Sequence, residues 1–395
     1  MNRILHGHAM RPHLVFHEIE DVSISKLDSA ALAIFFASDL GRLRMFELHF
    51  IFPGDPETLT GGYIYDNRIV DGLWDRGWKV CRHILPDGFP FPHASSLDKA
   101  SEVLGRIPDD RLVIIDGLAL APMVELIERH SARLVLIGLI HHPLAEETGI
   151  TAAQKSLLWV QERRVLAMCA RVVVTSSTTA AALASNYGVG PDRLVVIEPG
   201  VDAAPLAVGP RKAVINLLSV ATVTPRKGHD LLIAALAPLR KQSWRLSCVG
   251  DLERDPVTTA HVRKCVARFG LESRIKFRGV LGQSALARQY HSADLFVLAS
   301  QHEGYGMALA EALACGVPIV ATRVGAIPVT VPTNAGLLVP PGSSRDLTSA
   351  LMRFFDEPRL RMRLKAGARA SRLRGRSWDV AARCLEKQLR ELMAG

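Results

Sequence analysis

The stretch Gln301-His302-Glu303-Gly304-Tyr305-Gly306-Met307-Ala308-Leu309-Ala310-Glu311-Ala312-Leu313-Ala314-Cys315-Gly316 decides how this chain is read. It follows an apolar run, Leu295 to Leu298, that has the length and character of a buried strand. Ala299-Ser300 close that run and a Gly-containing loop follows. Met307 to Ala314 is helix-forming, Gly316 stops the helix and Pro318 opens the next strand. Glu303 therefore sits on a loop at a strand's C-terminal end, and Glu311 about one turn into the helix that follows. The amides of Gly306, Met307 and Ala308 at the helix start lack intrahelical acceptors and form an anion site. Two carboxylates and an anion hole at the mouth of an α/β sheet suit a sugar attached to a phosphate.

Outward from this stretch the same strand–helix alternation fills the second half of the chain. Strands are expected at Val214 to Val220, Arg245 to Val249, Ile275 to Arg278, Leu295 to Ala299, Pro318 to Ala321 and Gly336 to Val339. Helices are expected over about His229 to Lys241, Val257 to Phe269, Gln283 to His291, Met307 to Cys315 and Arg345 to Phe355. The first half repeats the scheme from Met45. Its strands begin near Phe46, Lys79, Arg111, Arg133, Arg171 and Arg193, and one helix is expected from Gly117 to about His130. Strands apolar on both faces, alternating with helices, imply parallel sheets covered on both sides. The fold class is α/β, with two Rossmann-like doubly wound domains facing across a cleft. Ligands of such sheets bind beyond the carboxyl ends of the strands.

The expected division is residues 1–44 as an N-terminal extension, 45–205 as the first domain, 206–375 as the second and 376–395 as a C-terminal helix packing back toward the first. Residues 1–44 show weak periodicity and are read as an extension of unknown order; Met45 is a natural opening for the first strand, which admits the reading that the start is misplaced. A stretch rich in Ala, Pro and Gly after Glu198 reads as the linker.

At 395 residues, 48% hydrophobic and 22% charged, the chain can bury two large cores. Its net charge of +9 favours anionic partners such as nucleotide phosphates or anionic lipid. Aromatics make up only 6% and do not interleave with basic clusters, which argues against a nucleic-acid stacking surface. The six cysteines are scattered without a C-x-x-C pair, as expected for reduced thiols in the cytoplasm. No apolar run approaches the ~20 residues of a membrane span. Between Arg359 and Arg376 there are eight Lys/Arg and no acid. This reads as a solvated helix face, or as a contact with anionic lipid at the inner face of the membrane or with an acidic acceptor.

Glu303 and Glu311, eight apart around Gly304-Tyr305-Gly306, resemble the signature of retaining glycosyltransferases of family 4, which have the GT-B fold. The resemblance extends through Thr60-Gly61-Gly62, His141-His142-Pro143, Pro199-Gly200-Val201-Asp202, Pro225-Arg226-Lys227-Gly228, Gly316-Val317-Pro318 and Gly336-Leu337-Leu338-Val339-Pro340-Pro341-Gly342, in the family's order. It covers nearly everything from Met45 onward. Two departures stand out: Thr222 where the family often has Arg, and Val329 where an acid often follows Gly-x-Ile-Pro.

The resemblance implies transfer of a hexosyl unit from a nucleotide-diphosphate sugar to an acceptor hydroxyl, in polysaccharide or glycoconjugate biosynthesis. It implies retention by front-face attack, with the leaving phosphate taking the acceptor's proton. It places Glu303 at the donor sugar, Glu311 at the ribose and His141 or His142, His141 by preference, near the anomeric carbon. Gly62, Gly306, Met307 and Ala308 are then backbone contacts to the donor. Arg226 and Lys227 at a helix start are electrostatically unfavourable unless an anion joins them, which suits a diphosphate. No D-x-D occurs, so no metal is expected, and no cofactor beyond the nucleotide-sugar co-substrate. The first half shows no further obvious base. The acceptor is expected to be a sugar, a lipid-linked group or a small molecule. Competing readings are an epimerase or phosphorylase on the same fold, and a protein that binds nucleotide sugar without turnover.

Overall fold

A computed structural model describes residues 46–209, 214–372 and 376–394; the extension expected over residues 1–44 lies outside the described residues. Among the described residues twelve strands form two six-stranded, all-parallel sheets. The first sheet comprises β1 (Glu47–Pro53), β2 (Lys79–Leu85), β3 (Leu112–Asp116), β4 (Val135–Ile140), β5 (Arg171–Val174) and β6 (Leu194–Val196). The second comprises β7 (Ile215–Val220), β8 (Trp244–Val249), β9 (Ile275–Phe277), β10 (Leu295–Leu298), β11 (Ile319–Thr322) and β12 (Gly336–Val339).

The helices of the first domain are α1 (Gly61–Trp74), α2 (Ala94–Arg106), α3 (Gly117–Leu120), α4 (Val124–His130), α5 (Ala152–Met168) and α6 (Ser177–Tyr187). Those of the second are α7 (His229–Leu236), α8 (Pro256–Arg268), α9 (Gln283–Ser292), α10 (Met307–Ala314), α11 (Ile327–Thr330), α12 (Ser344–Asp356) and α13 (Pro358–Ser371); α14 (Trp378–Ala394) ends the described chain. Polar side chains start the helices where the sequence offers them. Thr60 caps α1, Thr151 and Gln154 form a capping box on α5, and Ser176 and Asp255 cap α6 and α8. Two expected helices are shorter than the pattern suggested, and proline is the reason. Pro122 turns the segment after Gly117 into α3, a 3₁₀ turn and α4; Pro238 ends α7 at Leu236 in another 3₁₀ turn.

Strand order places the chemistry. It is β2-β1-β3-β4-β5-β6 in the first sheet and β12-β11-β10-β7-β8-β9 in the second. The order reverses between β1 and β3 in the first and between β7 and β10 in the second. At such a reversal neighbouring loops leave to opposite faces and open a crevice beyond the strands' C-terminal ends. Gly61-Gly62 follow β1, Asp116 ends β3, Arg226-Lys227 follow β7 and Glu303 follows β10. The sequence motifs thus fall on both switch points.

Each sheet carries a core on either face. On one face of the first sheet Phe50, Leu112 and Ile137 pack with Tyr65, Ile69 and Leu73 of α1, and Ala381, Leu385 and Leu389 of α14 join the same cluster. The chain's last helix therefore belongs to the first domain's core. Arg76, in the turn after α1, fastens it, pairing with Asp379 and, at 3.3 Å, with Glu386. Val201 N donates to Arg376 O at 2.8 Å, so the two connections between the domains run side by side. No helix among the described residues is long and apolar enough to cross a membrane.

Candidate active site

On the second sheet's side, the loop after β7 makes one 3₁₀ turn, Pro225–Lys227, and the loop after β10 comes back against it. Gln301 N donates to Arg226 O at 2.7 Å, and the Arg226 Nη1 donates to His302 O at 3.1 Å. Lys227 Nζ lies 2.5 Å from Glu303 Oε1, which also accepts from Ser300 Oγ at 2.8 Å. Glu303 is only 5% exposed. Burial works against its charge, yet Lys227 and Arg226 outweigh it and hold the carboxyl below its usual range. Burial draws the Lys227 ammonium down, with Glu303 opposing.

Gly306 precedes α10 with φ 86°, a conformation that glycine adopts without strain, and no side chain among the described residues caps the helix. Its first amides are thus left to an outside acceptor. Glu311, one turn along, is half-buried. Tyr290 of α9 donates to its Oε2 at 2.6 Å, and burial raises its pKa. Tyr290 was not among the sequence-derived residues, because nothing in its surroundings marks a tyrosine on α9 as reaching α10.

On the first sheet's side, His141 follows β4 directly, and its Nε2 faces two carboxylates: Asp66 Oδ1 at 3.1 Å and Asp116 Oδ2 at 3.4 Å. The Tyr65 ring meets the imidazole edge-on with centroids 5.5 Å apart. Asp66 lies on the buried stripe of α1, and Asp116 Oδ1 accepts from Leu118 N at 2.7 Å. Burial opposes a charge on His141, but the two carboxylates overcome it and lift the imidazole to about 10. Burial raises Asp66, with His141 opposing. It would raise Asp116 too, but bonds from His141 and Leu118 hold Asp116 down. The first domain therefore offers an imidazolium with a buried counter-charge: beside the expectation of no further obvious base, it adds two carboxylates, both engaged by His141. A signal was present: Asp66 interrupts an apolar helix stripe four residues after Gly62, and Asp116 ends a strand as His141 follows one.

The two sides touch. A Cβ on Gly304 would fall inside the van der Waals shell of His141 O, so the loop after β10 lies flush on the end of β4. Met307 Sδ faces Gly61, and the His141 ring closes on Gly62. The turn after β4, held by Glu162 of α5 accepting from Leu144 N at 2.6 Å, adds two more carboxylates. Glu147 Oε1 takes Arg226 Nε at 3.0 Å and its Oε2 takes His142 Nε2 at 3.1 Å; Glu146 reaches His302 Nδ1 at 3.5 Å. Burial would raise Glu147, but His142 and Arg226 bring it to about 2. Burial, His142 and Arg226 push His302 down to about 4.

Arg226 and Lys227 are read from the sequence as the diphosphate's cations, and in the structure each already holds a carboxylate, Glu147 and Glu303 respectively. His142 belongs to the Glu147 group and His141 to the Asp66/Asp116 group. Glu147 escaped the sequence reading because an acid in a loop after His-Pro has no spacing that ties it to Arg226. Asp66, Asp116 and His141 also bring ligand-type atoms within 4.8 Å of one another, a set with the composition of a cation site.

Two doubly wound domains with their switch points set face to face define the GT-B architecture of glycosyltransferases. A sucrose-phosphate synthase from Thermosynechococcus elongatus has this fold, with a TM-score of 0.75 at 22% identity over 88% of this chain and 99% of that one. Anabaena HepE, solved in complex with UDP and glucose, gives 0.71 at 19% identity, covering 88% and 100%. Residues 215–357 match the family described as "Glycosyl transferases group 1", and residues 100–204 match "Glycosyltransferase Family 4". The chain belongs to family 4 of the glycosyltransferases and is an enzyme of that type. Among curated proteins it is 28% identical to an MMP alpha-(1->4)-mannosyltransferase of Mycolicibacterium hassiacum, over 75% of this chain and 74% of that protein. It is 30% identical to a D-inositol 3-phosphate glycosyltransferase of Streptomyces bingchenggensis, over 60% of this chain. That match spans 56% of the relative's length, little more than half.

Proposed function

We propose that this glycosyltransferase moves a hexosyl unit from a nucleotide-diphosphate sugar to an acceptor hydroxyl with retention of anomeric configuration, and needs no metal ion to do so. The observation that carries the reading is the close seating of Gly304 on His141 O. It brings cations from the second sheet and an imidazolium from the first into one site, so a donor held by one domain meets the other at its reacting carbon.

In this reading Arg226, Lys227 and the amides of Gly306, Met307 and Ala308 hold the diphosphate, and Glu311 accepts from the ribose hydroxyls. Glu303 accepts from hydroxyls of the donor sugar, and the backbone of Gly62 leaves room for it. The acceptor oxygen bonds to the anomeric carbon on the face from which the phosphate departs. The carbon–phosphate-oxygen bond breaks, and the acceptor's proton passes to the departing phosphate oxygen. Charge builds on that oxygen, and His141, Arg226 and Lys227 are the cations placed to stabilise it. Their positive charge does the work a bridging metal does elsewhere. Donor binding also exchanges Glu147 on Arg226 for a phosphate oxygen, an anion for an anion.

The acceptor is a polyol or sugar hydroxyl, free or lipid-linked. The relatives' names direct the first trials toward UDP- and GDP-linked glucose and mannose as donors and an inositol phosphate as acceptor. The enzyme acts in the cytoplasm, and the outward cations of α13 give it a salt-sensitive contact with anionic membrane. Thermal-shift screening of nucleotide sugars, followed by transfer assays with the stabilising donor, tests the proposal. Nucleoside diphosphate released only when acceptor is present supports transfer. Conversion of the donor sugar to its epimer without acceptor supports the rival epimerase reading and overturns this one.

A further inference from the structure

At the opposite end of the first sheet lies a group of side chains that the transfer chemistry does not use. In β1 and its edge neighbour β2, His49 pairs with Cys81 and Glu47 with Lys79 in parallel register, so Glu47, His49, Cys81 and His83 line one sheet face. A parallel strand ordinarily turns apolar residues to such a face. Glu47 Oε1 lies 3.4 Å from Cys81 Sγ, and one ligand-type atom from each of Glu47, His49 and Cys81 lies within 4.8 Å of the others. His49 is 7% exposed, and its Nε2 has no hydrogen-bond partner among the described residues. Its Nδ1 lies 2.9 Å from His83 Nε2, with the rings stacked at 5.2 Å. This contact allows either ring to donate; in the tautomer with Nδ1 donating to His83, His49 Nε2 carries the lone pair that a metal ion needs.

We infer that Glu47, His49 and Cys81 form a binding site for a borderline-soft divalent metal of the zinc class. One carboxylate oxygen, one imidazole nitrogen and one thiolate sulfur supply three ligands, and water completes a tetrahedron on the solvent side. Binding breaks the Cys81 S–H bond, forms a metal–sulfur bond and releases the proton to solvent. It also displaces the Lys79 ammonium, which lies 2.7 Å from Glu47 Oε1. From His49 to Pro53 the strand runs about 13 Å, so the ion sits well away from the transfer site. Its effect is structural: it ties β2, the sheet's edge, to β1.

The test is titration of the full chain, cleared of metal with chelator and carrying no affinity tag, with cobalt(II) chloride. The expected result is one equivalent bound, with visible d–d bands of a tetrahedral centre and a thiolate-to-cobalt charge-transfer band that zinc abolishes by displacement. Cys81→Ser loses the charge-transfer band, and Glu47→Gln weakens binding at least tenfold. Cys265→Ser retains both band and affinity, although Cys265 Sγ lies 3.6 Å from His261 Nε2. Residues 1–44 hold four histidines and no cysteine, so metal bound there gives no charge-transfer band. Zinc raises the unfolding midpoint of the wild type by several degrees and leaves that of Cys81→Ser unmoved, which reports on the site even where a variant is less stable. Absence of the charge-transfer band, or a band that survives Cys81→Ser, overturns the inference.

Discussion

Replacing Asp66 by Asn removes a buried charge 3.1 Å from His141 Nε2 while keeping the side chain's size. The pair of carboxylates lifts His141 from 6.5 to about 10 against the pull of burial. At 1.36 kcal/mol per pKa unit, that is about 5 kcal/mol in favour of the protonated ring. One opposite charge at this range is worth about 1–3 units, so with Asp116 retained the Asp66→Asn imidazole should titrate near 7–9. Because the folded-state pKa of His141 is raised, its share of the pair's stability is present below about 6.5, although Asp66, itself raised by burial to about 7, sheds its charge in that range. That share is lost as pH rises through 10. The Asn variant should therefore be less stable than wild type at pH 7, and the difference should shrink at high pH. In transfer assays the alkaline limb of kcat/KM should move down by the same 1–3 units. NMR titration of the His141 Cε1 proton, assigned by its loss in His141→Asn, reads the pKa directly. An ordinary value near 6.5 in the wild type, or an alkaline limb unmoved in Asp66→Asn, would refute the claim that buried carboxylates keep this imidazole charged.

Four further outcomes follow from the geometry. Glu147→Gln removes the anion that Arg226 Nε holds at 3.0 Å, so UDP should bind about fivefold or more tightly by calorimetry, with a steeper salt dependence. Lys227→Met should lower kcat/KM by about 10²–10³ and cost about 3–5 kcal/mol of stability by stranding buried Glu303; adding Glu303→Gln should recover the unfolding midpoint but not activity. Gly304→Ala should push the loop after β10 off His141 O and reduce transfer more than stability, which paired rate and melting measurements would show. Chelator should leave the transfer rate unchanged, and a loss restored by magnesium or manganese would count against the metal-free mechanism.

The two-domain architecture was legible because parallel strands buried on both faces leave uninterrupted apolar runs such as Leu295–Leu298 and Leu112–Ile115. Strand limits came within two residues throughout the described residues. Helix limits failed where Pro122 and Pro238 shift the backbone into 3₁₀ turns, which a periodicity of 3.6 does not register. At the candidate site, the places of residues fixed to a strand end or helix start were readable, as with His141, Lys227, Glu303 and Glu311. Residues that reach the site through three-dimensional neighbourhood were not. Asp66 meets His141 from 75 positions away, Tyr290 meets Glu311 from 21, and Glu147 crosses to Arg226 in the other domain. Their spacing carries no local rule; only the strand order brings them together.

The central claim is transfer with retention between a nucleotide sugar and an acceptor hydroxyl. Its most direct measurement is an NMR time course of wild-type enzyme with an α-linked nucleotide sugar and acceptor, following the anomeric proton. Nucleoside diphosphate formed in step with an α-linked product, and only when acceptor is present, is the result predicted here. A β-linked product, or a donor changed without acceptor, would contradict it.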